Sequence, residues 1–360
     1  MTSPGRRFGL GLAVAVAVSV SVLGIWYVLV LRDGGADAAT GSAGIAVPAA
    51  TDATPAAGAD TAPPSRIAQA RALADTPLPP SDQPLRLIHD ELVARAGRGD
   101  ARAACRVAAE HERCDGQRQQ LRALQGQDAQ QQALRERAAE LPQQARDAAG
   151  AAQARTRERI AALETAIRHC EGIAPADPAT RARYWRQAAL AGHVPSMRHY
   201  ASGNAFRFHD LMDALPALQT YRGEAEAVAT RAAAQGDVAS MYALAVAYSD
   251  GGTGHFRTFL AQSVTPDLAQ ALAWYRLLDA HPDIRALPDA DPRRRVIRDG
   301  AAGLAAAATA DEDAAARRIA ARFPGAATPG EAPAHQVGVF ENGGMRDVGP
   351  EVCDSRRFAE

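Results

Sequence analysis

Large apolar side chains recur three and four positions apart through much of this chain, and alanine, glycine and serine fill the places between. In AAAQGDVASMYALAVAYSDGG, residues 232–252, Met241, Leu244 and Tyr248 fall on one helical face. A related phrase, AALAGHVPSMRHYASGN, stands forty-four positions upstream, so that Gly192 aligns with Gly236, Val194 with Val238, Ser196 with Ser240 and Met197 with Met241. A third copy, ARAGRGDARAACRVAAEHERC, is anchored on Gly99, with Asp100 matching Asp237. Each glycine sits between two helical runs and is followed by Asp or His, the order of a helix stop and a new helix entry. Paired aromatics, Tyr184-Trp185 and Trp274-Tyr275, stand in the phrases ARYWRQAALAG and LAQALAWYRLL. The pattern predicts an all-α fold, a short α/α solenoid of helix–turn–helix repeats over residues 85–323, with a last helix pair at 296–323. Its scaffold positions are Gly99, Tyr184, Trp185, Gly192, Met197, Gly236, Met241, Leu244, Tyr248, Trp274 and Tyr275.

Between the first two copies the pattern changes. Residues 115–169 are rich in Gln, Arg and Ala, helical in composition and broken at Pro142. Ile160, Leu163 and Ile167 give one apolar stripe, of coiled-coil spacing, and Leu121 and Leu124 a weaker one. An inserted antiparallel helical hairpin is expected. Its thin seam suits a flexible or partner-seeking arm.

The ends of the chain read differently again. Residues 8–31, FGLGLAVAVAVSVSVLGIWYVLVL, carry no charge and are long enough to span a bilayer. Arg6 and Arg7 precede the run, and after Arg32 the next basic residue is Arg66, which places residues 1–7 in the cytoplasm. A signal peptide cleaved after the Ala-Asp-Ala at 36–38 is the competing reading, but the apolar run exceeds the usual ~7–15 residues. Residues 32–84, dominated by Ala, Gly, Thr, Pro, Asp and Ser, predict a disordered tether with at most a helical turn or two at 65–75. Residues 324–360 predict an irregular tail that turns at Asn342-Gly343-Gly344 and is anchored by Phe340 and Cys353. The expectation is a single-pass protein of a bacterial inner membrane, with the bilayer as partner through residues 8–31 and the C-terminal domain in the periplasm.

Composition narrows the chemistry. The 40 basic residues are all arginine and face 41 acidic ones, for a net charge of −1, which leaves no electrostatic footprint for nucleic acid. Without lysine there is no Walker A phosphate lysine, no Ser-x-x-Lys site and no Schiff base. His199 and His209 flank an irregular loop with Asp210, and His255 follows the Gly-rich run Asp250–Gly254. The segment 289–300 is a basic run at a helix start. None makes a catalytic constellation, so no catalytic residue, cofactor or metal ligand is assigned.

The paired aromatics, the Ala-Ala-x-x-Gly phrases and the small-residue pattern ending at Tyr248 resemble the Sel-one-like repeat family, short α/α repeats related to tetratricopeptide repeats. The likeness covers about 86–114 and 179–280. It implies a non-catalytic protein–protein interaction scaffold or adaptor, with a protein partner of unknown identity. The alternatives are a periplasmic cell-wall-related hydrolase using loop histidines and carboxylates, or a passive envelope spacer.

Four cysteines remain. Cys114 and Cys170 bracket the hairpin, so its closure would bring them together, and an oxidising compartment favours a disulfide there. Cys105 and Cys353 are a second candidate pair, which would pin the tail to the first repeat. Zinc held by His111, Cys114, His169 and Cys170 is the competing reading, disfavoured because adjacent residues seldom chelate one tetrahedral ion.

Overall fold

The computed structural model describes residues 66–137, 142–249, 257–329 and 348–358. The apolar run at 8–31, the tether up to residue 65, the loop with His255, and the Asn342-Gly343-Gly344 turn with Phe340 lie outside the described residues. Among the described residues there are thirteen α-helices and no strand, beyond one isolated bridge between His193 and Phe358. They are α1 (Arg66–Ala74), α2 (Leu85–Gly97), α3 (Ala101–Arg137), α4 (Gln143–Ile167), α5 (Pro178–Leu190), α6 (Val194–Ala201), α7 (Leu215–Arg222), α8 (Ala225–Ala234), α9 (Val238–Tyr248), α10 (Leu268–Ala280), α11 (Pro282–Arg285), α12 (Pro292–Ala307) and α13 (Ala310–Ala320). No described helix is long and apolar enough to cross a membrane.

Helix pairs form around the three glycines. The α2–α3, α5–α6 and α8–α9 pairs each pack together, and α3 meets α5, α6 meets α8 and α9 meets α10. Gly99, Gly192 and Gly236 have φ of 97°, 87° and 81°, the left-handed region that side chains rarely adopt. One hydrogen-bond pattern recurs at all three. The glycine N–H donates to the carbonyl three residues back (Ala96, Ala189, Ala233), and the next N–H donates to the one five back (Arg95, Ala188, Ala232). The residue after the glycine then caps the following helix. Asp100 accepts from the Arg102 and Ala103 amides, and Asp237 from the Ser240 amide, while His193 pairs with the Ser196 hydroxyl instead.

Alanines line the contacts. Ala96, Ala103, Ala104, Ala188, Ala189, Ala232 and Ala233 are fully buried, which lets helices approach closely. Trp185, Met197, Met241, Leu244 and Trp274 fill the space between them and are also fully buried; Tyr248 and Tyr275 retain only a small exposed part. Tyr184 differs from the other scaffold aromatics. It is only partly buried and lies under the Arg183 guanidinium, 5.2 Å from the ring centre.

Several boundaries move from the sequence expectation. Part of the predicted tether is folded: α1 occupies 66–74, with Ala70 and Ala74 buried against the rest. Arg95 and Arg102 reach back to the carbonyls of Thr76, Pro77 and Ala74 and hold this segment in place. No helix boundary falls at residue 115, where the hairpin was expected to begin. Its first arm continues the repeat helix α3 without interruption past Gly116 and Gly126, and α4 starts after Pro142. Its distal seam is polar rather than apolar. The buried residues of α4 are Gln153 and Thr156, whereas Ile160, Leu163 and Ile167 are half-buried. Gln153 accepts from Arg135 at 2.6 Å and donates to Asp128 at 3.1 Å, which is also held by Arg157. The residues after Tyr200 run through a short 3-10 turn, Phe208–Asp210, into α7, a helix the repeat pattern does not anticipate.

Both cysteine pairs are within bonding distance. Cys114 and Cys170 close the base of the hairpin, and Cys105 joins Cys353 across 248 positions of sequence. No described cysteine is free. The segment around Cys353 crosses the glycine junctions as a strap. The Arg357 carbonyl accepts from the Val194 amide, the Ser355 carbonyl from His193, and Arg357 donates to the Gln235 carbonyl beside Gly236. Arg102 and Arg106 donate to the carbonyls of Cys353 and Pro350, and Arg71 of α1 to that of Phe358. A second irregular piece seals the third junction: a side chain at Gly236 would strike the Thr328 carbonyl.

Candidate functional site

The densest polar chemistry lies where α3 passes α5 and α6. One short stretch of α3, less than two turns long, supplies Glu110, His111, Glu112 and Asp115, because helical spacing sends neighbouring residues to different partners around the axis. Glu112 is buried and accepts from the Trp185 indole N–H at 2.9 Å. His199 Nε2 lies 3.1 Å and Arg207 Nη2 3.2 Å from its second oxygen. The His199 ring stacks on Trp185 with centroids 3.9 Å apart. Arg181, almost wholly buried, joins the carboxylates: it is 3.7 Å from Glu112, 3.4 Å from Asp115 and 2.8 Å from Asp210. Burial pushes the Asp115 carboxyl up, and Arg181 and Arg118 only partly offset that.

Glu110 faces another way. It is fully buried, pairs with Arg106 at 2.9 Å and receives His169 Nε2 at 3.0 Å, just before the disulfide at Cys170. His111 turns toward α2. Its Nε2 lies 3.4 Å from Nε2 of His89, the rings meeting edge to face. Burial, with smaller contributions from His89, Arg181 and Arg118, lowers its pKa to about 4, so the ring is neutral near neutral pH.

The arrangement can fix helices to one another, since every buried charge here has an opposite partner. The loop histidines are thereby separated: His199 is locked under Trp185, whereas His209 stands exposed against Gln119 at 2.6 Å. The proposed zinc set is closed off, because Cys114 and Cys170 are bonded to each other and His169 is committed to Glu110. Among the described residues no three His, Cys, Asp or Glu side chains converge as a metal site. The basic run at 289–300 is a helix entry, with Asp291 capping α12 through the Arg293 amide.

Two surfaces outside this network were not foreseen. A cleft of about 410 Å³ opens beside the first and second glycine junctions; Arg98, Arg183, Arg186 and Gln187 line it and no carboxylate does. Arg186 is already bonded to Glu224 at 2.6 Å, and Gln187 to the Ala96 carbonyl. The second surface is the segment after α6. Phe208, Met212 and Leu215 are 85%, 76% and 40% exposed, between the buried anchors Phe206, Ala214 and Leu218. The Arg181–Asp210 ion pair fixes the middle of this segment to α5. The sequence signal was present in FRFHDLMDAL, where apolar residues break the repeat pattern, but nothing in it said which ones face outward. No family model matches the chain, and neither a curated protein nor a solved structure matches it.

Proposed function

We propose that this chain is a non-catalytic interaction scaffold: the span at 8–31 carries a helical-repeat domain of Sel-one-like type in the periplasm, where it binds another protein. Two disulfide pairs suit an oxidising compartment. The observation that carries the reading is the outward display of Phe208, Met212 and Leu215 on a segment whose backbone is pinned on both sides. Exposed apolar groups held in place mark contact surfaces, because their burial stabilises a complex without a large ordering cost. The occupant is a protein that presents a complementary apolar face. Its polar rim would meet His209 and Asp213, which are exposed at the same segment.

The test places a photo-crosslinking residue at Met212 in the full chain in living cells. A recurrent protein adduct is expected, and Phe208→Asp should abolish it while leaving the melting temperature unchanged, since that side chain makes almost no internal contact. No recurrent adduct, or one indifferent to Phe208→Asp, would sink the adaptor reading in favour of a spacer.

A further inference from the structure

We propose that His89 and His111 form a two-histidine site for a divalent transition-metal ion of the class that imidazole favours, Cu²⁺, Ni²⁺ or Zn²⁺. Their Nε2 atoms face each other at 3.4 Å across the α2–α3 pair. That distance is long for an N–H donor, whose usual range ends near 3.2 Å. It matches the separation of two imidazole nitrogens on one tetrahedral ion, about 3.3–3.4 Å for bonds of about 2.0–2.1 Å. The second observation concerns the far side of His89. Its Nδ1 lies 3.3 Å from the exposed carboxylate of Asp90. At that distance the carboxylate acts on Nδ1 mainly as a nearby negative charge, which favours a proton there and leaves Nε2, on the side of His111, unprotonated. Carboxylate, histidine and metal in that order are a recurrent ligand arrangement.

The two ligands come from two helices and so do not depend on local chain flexibility. The His89 side chain is 23% exposed and gives the ion a route from solvent, while His111 is buried and supplies the rigid half. The sulfurs at Cys114 and Cys170 are bonded to each other and cannot compete for the ion. Glu110 and Glu112 flank His111 in sequence but are engaged with Arg106, His169, Trp185 and His199. With two protein ligands the remaining positions go to water or to a group from outside the chain, so the site is open rather than structural. Among the metals Cu²⁺ should bind most tightly.

The experiment titrates the full chain, stripped with chelator and with its disulfides intact, with Cu²⁺, Ni²⁺ and Zn²⁺ chlorides in a calorimeter. One ion per chain is expected. His89→Ala, a change at a partly exposed position, should weaken binding by about tenfold or more with an unchanged circular dichroism spectrum. His209→Ala should have no effect. The Cu²⁺ form should show electron paramagnetic coupling to two imidazole nitrogens, reduced in His89→Ala. Absence of saturable binding, or affinity and coupling that persist in His89→Ala, would overturn the site.

Discussion

At the scale of single residues, His193 shows how one position can serve two ends. It stands at the N-cap position of α6, where the other two junctions have aspartate, and its ring pairs with the Ser196 hydroxyl at 2.7 Å rather than with a backbone amide. Its Nε2–H donates to the Ser355 carbonyl of the strap at 3.2 Å, so Nδ1 accepts from the serine hydroxyl. The neutral ring uses one nitrogen as donor and the other as acceptor, whereas a protonated ring would have to donate from both. Burial lowers its pKa to about 3, with Arg102 and Arg198 adding to the effect against the favourable Ser355 contact. The unfolded chain binds this proton near the ordinary pKa of 6.5, the folded chain only near 3, so stability from this group is complete above 6.5 and falls as the pH drops between them. His193→Asn keeps an acceptor for Ser196 but does not titrate. Denaturant melts from pH 7 to 4 should therefore show a shallower loss of stability in the variant than in the parent chain, and equal slopes would refute the assignment.

At the scale of elements, the hairpin is held by two different devices. Its base is closed by Cys114–Cys170 and by Arg118, which donates to the carbonyls of Cys170 and Ile173. Its distal part depends on Gln153 and its two partners. Closing a loop over a separation of 56 positions constrains the unfolded chain by about 4 kcal/mol in the entropy model. Replacing both cysteines with serine should raise hydrogen exchange through 115–169 and leave α8, α9 and α10 protected; exchange that rises everywhere would show that the hairpin is not an independent element. The glycine junctions were legible because their signals are local: a glycine, a capping residue and small neighbours. The hairpin was legible as two helices with a break at Pro142. Its polar seam was not, because Gln153 and Asp128 look like solvated residues until the arms are superposed. The exposed face of Phe208 and Met212 was hidden for a similar reason, since exposure depends on where α7 turns.

At the scale of the whole molecule, the helix pairs do not stand alone as in a simple repeat array, in which each unit touches only its neighbours. The strap from Pro350 to Phe358 bonds to α1, α3, the Gly192 junction and the Gly236 junction. No sequence pattern announced this, because most of its acceptors are backbone carbonyls, which every residue carries; only Cys353 was a visible handle. Exchanging Cys105 and Cys353 for serine should loosen the strap, and amide exchange should then rise at Val194, whose partner is the Arg357 carbonyl, as well as within 348–358. A rise confined to 348–358 would mean that the strap covers the junctions without clamping them. The strap also has a meaning for biosynthesis. Arg106 is fully buried and Arg102 nearly so, yet both take acceptors from residues translated some 250 positions later. The first helix pair therefore stays unfinished while the ribosome completes the others. A stop codon late in the reading frame would leave its defect at the opposite end of the sequence, in the pair made first, where a protease would find it.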